Sequence, residues 1–193
     1  EKIERVFPGC ESVLFFSDSV NFRKQIASDY KGSRTRKKPC GYKRALRALE
    51  DEYKIIRLPT LEADDALGVY ATKYPGNILV SPDKDLRQIA GTLYDLKTTT
   101  EITKEEGDQW HFIQTLSGDQ TDGYTGCPGY GLLKSTKLFE KEGFKWSAIV
   151  KAFKSKGLTE VDALRNARLA KILQNEDYNF KKKEPILWQP KSL

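Results

Sequence analysis

Histidine, cysteine and methionine are scarce in this chain of 193 residues, which has one His, three Cys and no Met. A single imidazole cannot build a His-rich zinc site, and it could serve in only one catalytic triad. The cysteines, Cys10, Cys40 and Cys127, are odd in number and lack C-x-x-C spacing, so neither a disulfide framework nor a thiolate zinc site is indicated. This usage is typical of a reducing cytoplasm, and we interpret His111 as structural.

Long apolar runs are also missing. No run approaches the roughly 20 residues that a membrane-spanning helix needs, and the first residues carry no signal-peptide pattern, so we expect a soluble protein without a membrane partner. Because Met is missing even from position 1, we expect the chain to be a piece or a processed form of a longer product. Its 33 Lys and Arg against 27 Asp and Glu give a net charge of +6, which favours a polyanionic partner.

Hydrophobic residues make up 38% of the chain, and they alternate between strand-like runs and helical spacing. This alternation predicts an α/β fold with a mostly parallel, twisted sheet flanked by helices. We predict an α/β core over residues 1–103 and a helical region over residues 104–193. The predicted strands are 12–16, 54–58, 77–81 and 93–96, and the predicted helices are 20–31, 42–53, 61–74, 105–116, 132–141, 147–156 and 159–173.

Carboxylates follow the predicted strands, at the edge where open parallel sheets bind ligands. Each motif alone is weak, since D-x-D occurs by chance and L-E-A-D-D also suits an ordinary capped helix start. Eight carboxylates at one edge would repel one another strongly unless multivalent cations neutralised them. Such oxygen ligands select magnesium or manganese over zinc, and two ions can support phosphodiester cleavage. The candidate ligands are Asp18, Glu62, Asp64, Asp65, Asp83, Asp85, Asp119 and Asp122.

Basic residues are concentrated over residues 31–44, where 7 cations fall within 14 residues. Such a run is often only a solvated face, but Tyr30 beside Lys31 combines a ring for base stacking with a cation for phosphate. The glycine-rich segment 126–131 lets backbone N–H groups approach a phosphate, or forms a plain interhelical turn. The candidate nucleic-acid contacts are Tyr30, Lys31, Arg34, Arg36, Lys37, Lys38, Gly126, Gly129, Gly131, Lys134 and Lys137.

Four motifs in order resemble the 5′-nuclease superfamily of 5′→3′ exonucleases and flap endonucleases, most closely its small podophage exonucleases. The motifs are F-S-D-S-V-N-F-R-K with Y-K-G-S-R, L-E-A-D-D, S-P-D-K-D-L-R-Q and G-D-Q-T-D-G-Y-T-G-C-P-G-Y-G. The resemblance implies two carboxylate-bound metals, a helical arch over about residues 20–44, and a helix-three-turn-helix that grips duplex DNA and often holds a potassium ion. Two departures are visible: the family's first strand, which ends in a metal-binding Asp, has no counterpart, and residues 132–136 differ from the family's usual turn.

The same resemblance implies roles for individual residues. Lys31, Arg34 and Arg23 would contact the scissile phosphate and the frayed 5′ end from the arch. Asp18, Glu62, Asp64 and Asp65 would serve one metal, and Asp83, Asp85, Asp119 and Asp122 the other.

The implied activity is hydrolysis of DNA from a 5′ end by a monomer in the cytoplasm of a phage-infected host, with flaps or RNA in hybrids as further substrates. Two other readings stay open. One is a catalytically silent module that binds DNA structures, and the other is a D-x-D phosphotransferase acting on small molecules.

Overall fold

Helices and short strands alternate along the first half of the chain, and helices dominate the second, which confirms the predicted α/β class. The structure is a computed structural model, and it describes residues 2–33 and 38–190. The helices are α1 (Lys2–Val6), α2 (Arg23–Ile26), α3 (Tyr42–Glu52), α4 (Ala63–Lys73), α5 (Lys104–Ser117), α6 (Leu132–Glu142), α7 (Trp146–Lys154) and α8 (Glu160–Ala170). The strands are β1 (Val13–Phe15), β2 (Lys54–Ile56), β3 (Ile78–Val80), β4 (Gly91–Tyr94), β5 (Thr99–Ile102), β6 (Tyr178–Asn179) and β7 (Glu184–Pro185). Two 3₁₀ helices cover Lys84–Gln88 and Asn175–Asp177.

The strands form three small sheets within the described residues. β1 pairs with β2 in parallel, and β3 pairs in parallel with β4, which pairs antiparallel with β5. β6 and β7 form an antiparallel pair. The sequence pattern predicts these four strands and one mostly parallel sheet, but the four strands lie in two different sheets. It misses β5, whose exposed polar residues give no apolar run. The carboxyl ends of β1 and β3 both lead into acidic loops, at Asp18 and Asp83.

The predicted helix over residues 20–31 is reduced to the single turn α2. The chain leaves the helix at Ala27, whose backbone is extended, and Lys31 adopts a left-handed φ of 55°. Ala27 and Tyr30 are buried together against Tyr124 and Leu169, which come from the helical half of the chain. Tertiary packing therefore overrides the helical propensity of this segment.

The α/β part and the helical part share their buried residues. Leu173 and Tyr178, beyond α8, pack in one cluster with Phe22 and Leu58. A second cluster, centred on α5, α6 and α7, contains Phe139 and other aromatic and aliphatic side chains. The chain thus returns to its first half after α8, and two buried clusters contain residues from both sides of residue 103.

His111 has a structural environment, as the sequence indicates. It is buried on α5, and its Nε2 lies 2.8 Å from the carbonyl oxygen of Ala167 on α8. Burial, with the nearby charge of Lys171, lowers the pKa of His111 to about 3. The imidazole is therefore neutral across the physiological range, and it ties two helices together.

No helix in the described ranges is both long and apolar enough to cross a membrane.

Candidate metal and nucleic-acid site

The first part of the site is built at the start of α4. Glu62 is the N-cap residue, and its side chain and that of Asp65 form a reciprocal capping box across the first turn. This is the capping role that the L-E-A-D-D motif leaves open, and it satisfies backbone N–H groups that a helix start would otherwise leave unpaired. Asp64 lies between these two acids, in the first turn of α4.

Lys31 joins this helix start to the loop after α5. Its Nζ lies 2.5 Å from Oε1 of Glu62 and 3.5 Å from Oδ2 of Asp122, and its backbone N–H donates to the carbonyl oxygen of Asp122. Burial alone would raise the pKa of Glu62, but Arg23 and Lys31 lower it below its usual value. Two acids from distant motifs, Glu62 and Asp122, are therefore brought together around one ammonium group.

Asp64 and Asp85 are the acids with the least favourable surroundings. Burial, followed by the charge of Asp83, raises the pKa of Asp64 to about 7. Burial and Asp83 likewise raise the pKa of Asp85 to about 6, against a stabilising hydrogen bond from Gln114. Like charges raise a pKa in this way only when they lie close together, so Asp64, Asp83 and Asp85 share one electrostatic environment.

The loop after α5 completes the acidic group. Oδ1 of Asp119 accepts hydrogen bonds from the backbone N–H groups of Thr121 and Asp122, which fixes this turn. Oδ2 of Asp119 lies 3.7 Å from Nζ of Lys84, in the 3₁₀ helix after β3. The loops after β3 and α5 therefore meet. The structure groups six of the eight candidate acids through direct contacts or electrostatic coupling: Glu62, Asp64, Asp83, Asp85, Asp119 and Asp122.

The chemistry of these donors fits a hard divalent cation. Carboxylate oxygens are the ligands that magnesium and manganese prefer, and a dication would relieve the repulsion that raises the pKa values of Asp64 and Asp85. Within the described residues, no three His, Cys, Asp or Glu side chains already stand in an arrangement that could hold a metal ion. Metal binding would therefore need the side chains to rearrange. Lys31 lies against Glu62 and Asp122, and Lys84 lies near Asp119, so these three acids would have to exchange a lysine for the metal ion.

Asp65 and Arg23 form a buried ion pair instead of facing the acidic group. Arg23 is 1% exposed and Asp65 0% exposed, and two guanidinium nitrogens of Arg23 donate to the two carboxylate oxygens of Asp65, at 2.5 and 2.8 Å. The remaining guanidinium hydrogens reach the carbonyl oxygens of Leu169 and Lys171 and Oε2 of Glu62. Both side chains are thus saturated inside the protein. This corrects the predicted contact of Arg23 with a DNA phosphate and disfavours Asp65 as a direct metal ligand.

Asp18 also has a local role. Its Oδ1 accepts from the backbone N–H of Ser19, and its Oδ2 accepts from that of Thr60, at 2.8 Å. The hydrogen bond from Thr60 lowers the pKa of Asp18. The carboxylate therefore ties the loop after β1 to the loop before α4. No described contact joins it to the other acids.

The structure describes only part of the basic segment over residues 31–44: Lys31 and its neighbour Tyr30 lie in the site, and residues 34–37 are not described. Tyr30 is 2% exposed, and its hydroxyl oxygen lies 3.0 Å from Oε2 of Glu62 and 3.1 Å from Oδ2 of Asp122, so its ring is not available for the predicted base stacking. Lys38 is exposed, with its Nζ 4.5 Å from the ring centroid of Tyr42 at the start of α3. α3 has no buried residue. The predictions for Arg34, Arg36 and Lys37 lie outside the described residues.

The glycine-rich segment 126–131 has two different halves. Gly126 is buried, and its N–H donates to Oδ1 of Asn166, so it cannot be offered to a phosphate as predicted. A Cβ at Gly126 would also meet the backbone N of Gly118 at 2.4 Å, so this glycine is required by packing. Gly129 and Gly131 are exposed, and a Cβ at Gly131 would meet nothing within 4 Å.

Lys134 and Lys137 lie on the exposed surface of α6, beyond these glycines. Nζ of Lys134 lies 4.6 Å from the ring centroid of Tyr130. The exposed half of this turn and these two cations therefore form one surface, which we call the α6 turn surface and define as Gly129, Gly131, Lys134 and Lys137.

Two buried glutamines support the acidic group, and the sequence analysis does not find them. Gln114 on α5 donates from Nε2 to Oδ1 of Asp85 at 2.6 Å, and its own Oε1 accepts from Gln88 at 2.7 Å. Gln88 in turn bonds the backbone at Ala170 and Ile172. This chain of amides fixes the orientation of Asp85. The sequence feature that could have indicated this role is the position of Gln114 among the apolar residues of α5.

Solved structures of a bacteriophage T5 protein share this architecture. The flap endonuclease of bacteriophage T5, in a complex with DNA and metal ions, superimposes with a TM-score of 0.70 at 16% sequence identity, over 88% of this chain and 77% of that one. A second T5 structure, co-crystallised with metal ions, gives a TM-score of 0.66 at 15% identity, over the same shares of the two chains. At these identities the likeness establishes the fold.

Two phage exonucleases are similar to this chain in sequence. The exodeoxyribonuclease of Enterobacteria phage T3 is 35% identical, in an alignment that covers 100% of this chain and 78% of that protein. The exonuclease of Escherichia phage T7 is also 35% identical, in an alignment that covers 98% of this chain and 77% of that protein. No family model matches the chain. The chain belongs to the 5′-nuclease superfamily, close to the podophage exonucleases, as its four motifs predict.

Proposed function

We propose that this protein is a divalent-metal-dependent 5′→3′ exonuclease and structure-specific flap endonuclease, which hydrolyses phosphodiester bonds of DNA. Membership of the 5′-nuclease superfamily supports the reaction class. The observation in the chain itself that carries the proposal is the set of acids from separate motifs around Asp83, with raised pKa values at Asp64 and Asp85. Such concentrated negative charge has a use where cations and a phosphodiester are to be bound.

Two magnesium or manganese ions are the cofactors that we propose for this site. When bound, such ions supply a hydroxide-like nucleophile and stabilise charge on the reacting phosphate. Glu62, Asp64, Asp83, Asp85, Asp119 and Asp122 would hold them, some through water. Asp65 and Asp18 would support the site indirectly, by fixing the start of α4 and the loop that precedes it.

Lys31 is the cation that we propose to contact the scissile phosphate. Its ammonium group lies between Glu62 and Asp122, at the edge of the acidic group, and 17% of its side chain is exposed. The hydrogen bond from its backbone N–H to Asp122 fixes its position. Such a charge next to a reacting phosphate stabilises the charge that develops in the transition state. Arg34 is proposed, from the resemblance alone, to act beside it.

The remaining parts of the proposal concern DNA binding. Arg36, Lys37 and Lys38 would contact single-stranded DNA from the arch segment. The α6 turn surface would hold the duplex backbone, with a potassium ion at the same turn. We further propose that the protein acts as a monomer in the host cytoplasm, and that RNA in hybrids is a possible substrate class alongside DNA.

The experiment is a cleavage assay on a 5′-labelled duplex with magnesium, with a chelator, and with Asp85→Ala. We expect a rate at least about a hundredfold lower for Asp85→Ala, since losing one donor leaves a multivalent site under-coordinated. We expect the cleavage rate of Asp83→Ala to fall to the same extent. Asp108→Ala, an exposed acid paired with Lys104 on α5, is the matched control and should leave the rate unchanged. Undiminished cleavage by the wild type in chelator would reject the proposal.

A second candidate is a DNA-structure-binding module without catalysis. It is favoured by one observation: no group of three acids in the described ranges is arranged to hold a metal ion. The same assay decides. Tight binding to duplex ends in magnesium, with no cleavage at any concentration, would establish the binding module in place of the nuclease.

A further inference from the structure

A cavity of about 350 Å³ opens beside the acidic loop after β3. It lies among the 3₁₀ helix Lys84–Gln88, the strands β4 and β5, and the start of α5, and Leu93 and Ile102 line its apolar part. Its volume falls within the range of small-molecule sites, roughly 300–1,000 Å³. Asp83 and Lys84 belong both to this cavity and to the candidate metal site. A group bound in the cavity would therefore lie beside Asp83 and Lys84.

The cavity is lined by an aromatic ring and a guanidinium group, those of Trp110 and Arg87. The guanidinium of Arg87 lies 5.7 Å from the ring centroid of Trp110, and Arg87 makes no hydrogen bond or ion pair with another described residue. Nε1 of Trp110 is buried and has no hydrogen-bond partner in the described part of the chain. A Trp ring beside an Arg plane is the kind of surface on which nucleobases stack.

The charge of the cavity indicates which part of a nucleotide it would take. Four carboxylates and two cations line it: Asp83, Asp95, Glu101, Glu106, Lys84 and Arg87. This acidic excess opposes a second phosphate. It suits an uncharged base whose exocyclic amino group can donate to a carboxylate, as cytosine, adenine and guanine can and thymine cannot.

We propose that this cavity binds the base of a nucleotide adjacent to the scissile phosphate, stacked on Trp110 and covered by Arg87. The inference rests on the proposed nuclease function, because that function places a phosphodiester at Asp83. It adds a base-binding subsite, with a preference for bases that carry an amino group, to a site that otherwise contacts only the DNA backbone.

The test measures binding of 5′-ended duplexes in calcium, with 2-aminopurine placed in turn at each of the first nucleotides. In the wild type, its fluorescence should be quenched at one position. Arg87→Ala should weaken binding of the normal duplex about tenfold, since stacking on one residue has that order of effect. It should leave unchanged the binding of a duplex that is abasic at the quenched position. Arg57→Ala removes an exposed guanidinium 5.3 Å from the ring centroid of Phe16, outside the cavity, and is the control without effect.

Trp110→Leu should abolish the quenching that Arg87→Ala reduces. Because Trp110 also packs against the helical core, its folding is checked by circular dichroism, and Arg87→Ala carries the test if this variant does not fold. Equal weakening of normal and abasic duplexes, or no quenched position in the wild type, would overturn the subsite. The wild type's cleavage in magnesium is scored separately. Absent cleavage with base-dependent binding refutes the nuclease, whereas cleavage without base dependence refutes only the subsite.

Discussion

The buried pair of Arg23 and Asp65 provides a stability prediction that separates a structural role from a metal-binding one. Asp65→Ala leaves the guanidinium of Arg23 without its carboxylate, in a place where neither side chain is more than 2% exposed. It also removes the acceptor for the backbone N–H of Leu173. Breaking a buried pair by removing one partner costs about 3–5 kcal/mol, because a charge is left uncompensated.

This cost is large against the whole stability of a domain, about 5–15 kcal/mol. We therefore expect the free energy of unfolding, measured in urea, to fall by about 3–5 kcal/mol. The melting temperature should fall by roughly 6–20 °C, given about 2–4 °C per kcal/mol for a chain of this size. Glu50→Ala is the matched control, since it breaks an exposed pair with Arg57, and it should cost less than about 1 kcal/mol.

A compensating double variant tests the electrostatic reasoning itself. Replacing the pair with Arg23→Met and Asp65→Leu removes both charges, and such replacements are often neutral or stabilising. The double variant should therefore recover much of the stability lost in Asp65→Ala. If Asp65→Ala costs under about 1 kcal/mol and abolishes the affinity for manganese, the structural reading is refuted and Asp65 is a ligand.

Three further predictions concern single parts of the molecule. Lys31→Ala should slow cleavage by about a hundredfold while changing duplex affinity in calcium only slightly, because its charge faces the acidic group; Lys151→Ala, which removes an exposed cation paired with Glu142, is its control. Neutralising Lys134 and Lys137 together should flatten the slope of log K against log salt by about 2 in a duplex-binding titration. The lowered pKa of His111 means that the folded protein binds fewer protons than the unfolded chain between about pH 3 and 6.5. Its contribution is complete above pH 6.5, and stability relative to His111→Gln should fall below that pH by up to about 1.4 kcal/mol per pH unit.

Each of these has an outcome that contradicts it. Equal losses of binding and turnover in Lys31→Ala would make this residue an ordinary phosphate contact. An unchanged salt slope would reduce the α6 turn surface to an interhelical turn. A pH-independent difference in unfolding free energy between the wild type and His111→Gln would show that the imidazole is protonated equally in both states.

The helices of the second half could be predicted closely from the sequence, and the segment around α2 could not. Apolar spacing gives 132–141 for a helix that spans Leu132–Glu142, because one face of it packs against the helical core. Arg23, by contrast, is buried by carbonyl oxygens of Leu169 and Lys171, 146 and 148 residues further along the chain. The residues next to Arg23 in the sequence do not indicate partners so far along the chain. A basic residue after a strand is therefore predicted to be exposed.

The same limit applies to the acids. Their placement beyond the strands is predictable, since strand ends meet at a sheet edge. The sequence does not show which of these acids are already paired with a cation, because the cations come from other parts of the chain. Arg23 compensates Asp65, Lys31 lies against Glu62 and Asp122, and Lys84 lies near Asp119.

What remains after this compensation locates the charge that a dication would meet. In the described ranges, Asp64, Asp83 and Asp85 have no cationic side chain within ion-pair distance, and burial with mutual repulsion raises the pKa of Asp64 to about 7 and that of Asp85 to about 6. A dication gains most where carboxylates are least compensated, because there it replaces repulsion with attraction and displaces no existing ion pair. We therefore expect the first ion to bind at Asp64, Asp83 and Asp85, where the two implied metal clusters adjoin. An ion at Glu62 and Asp122 would first have to displace Lys31 from their carboxylates.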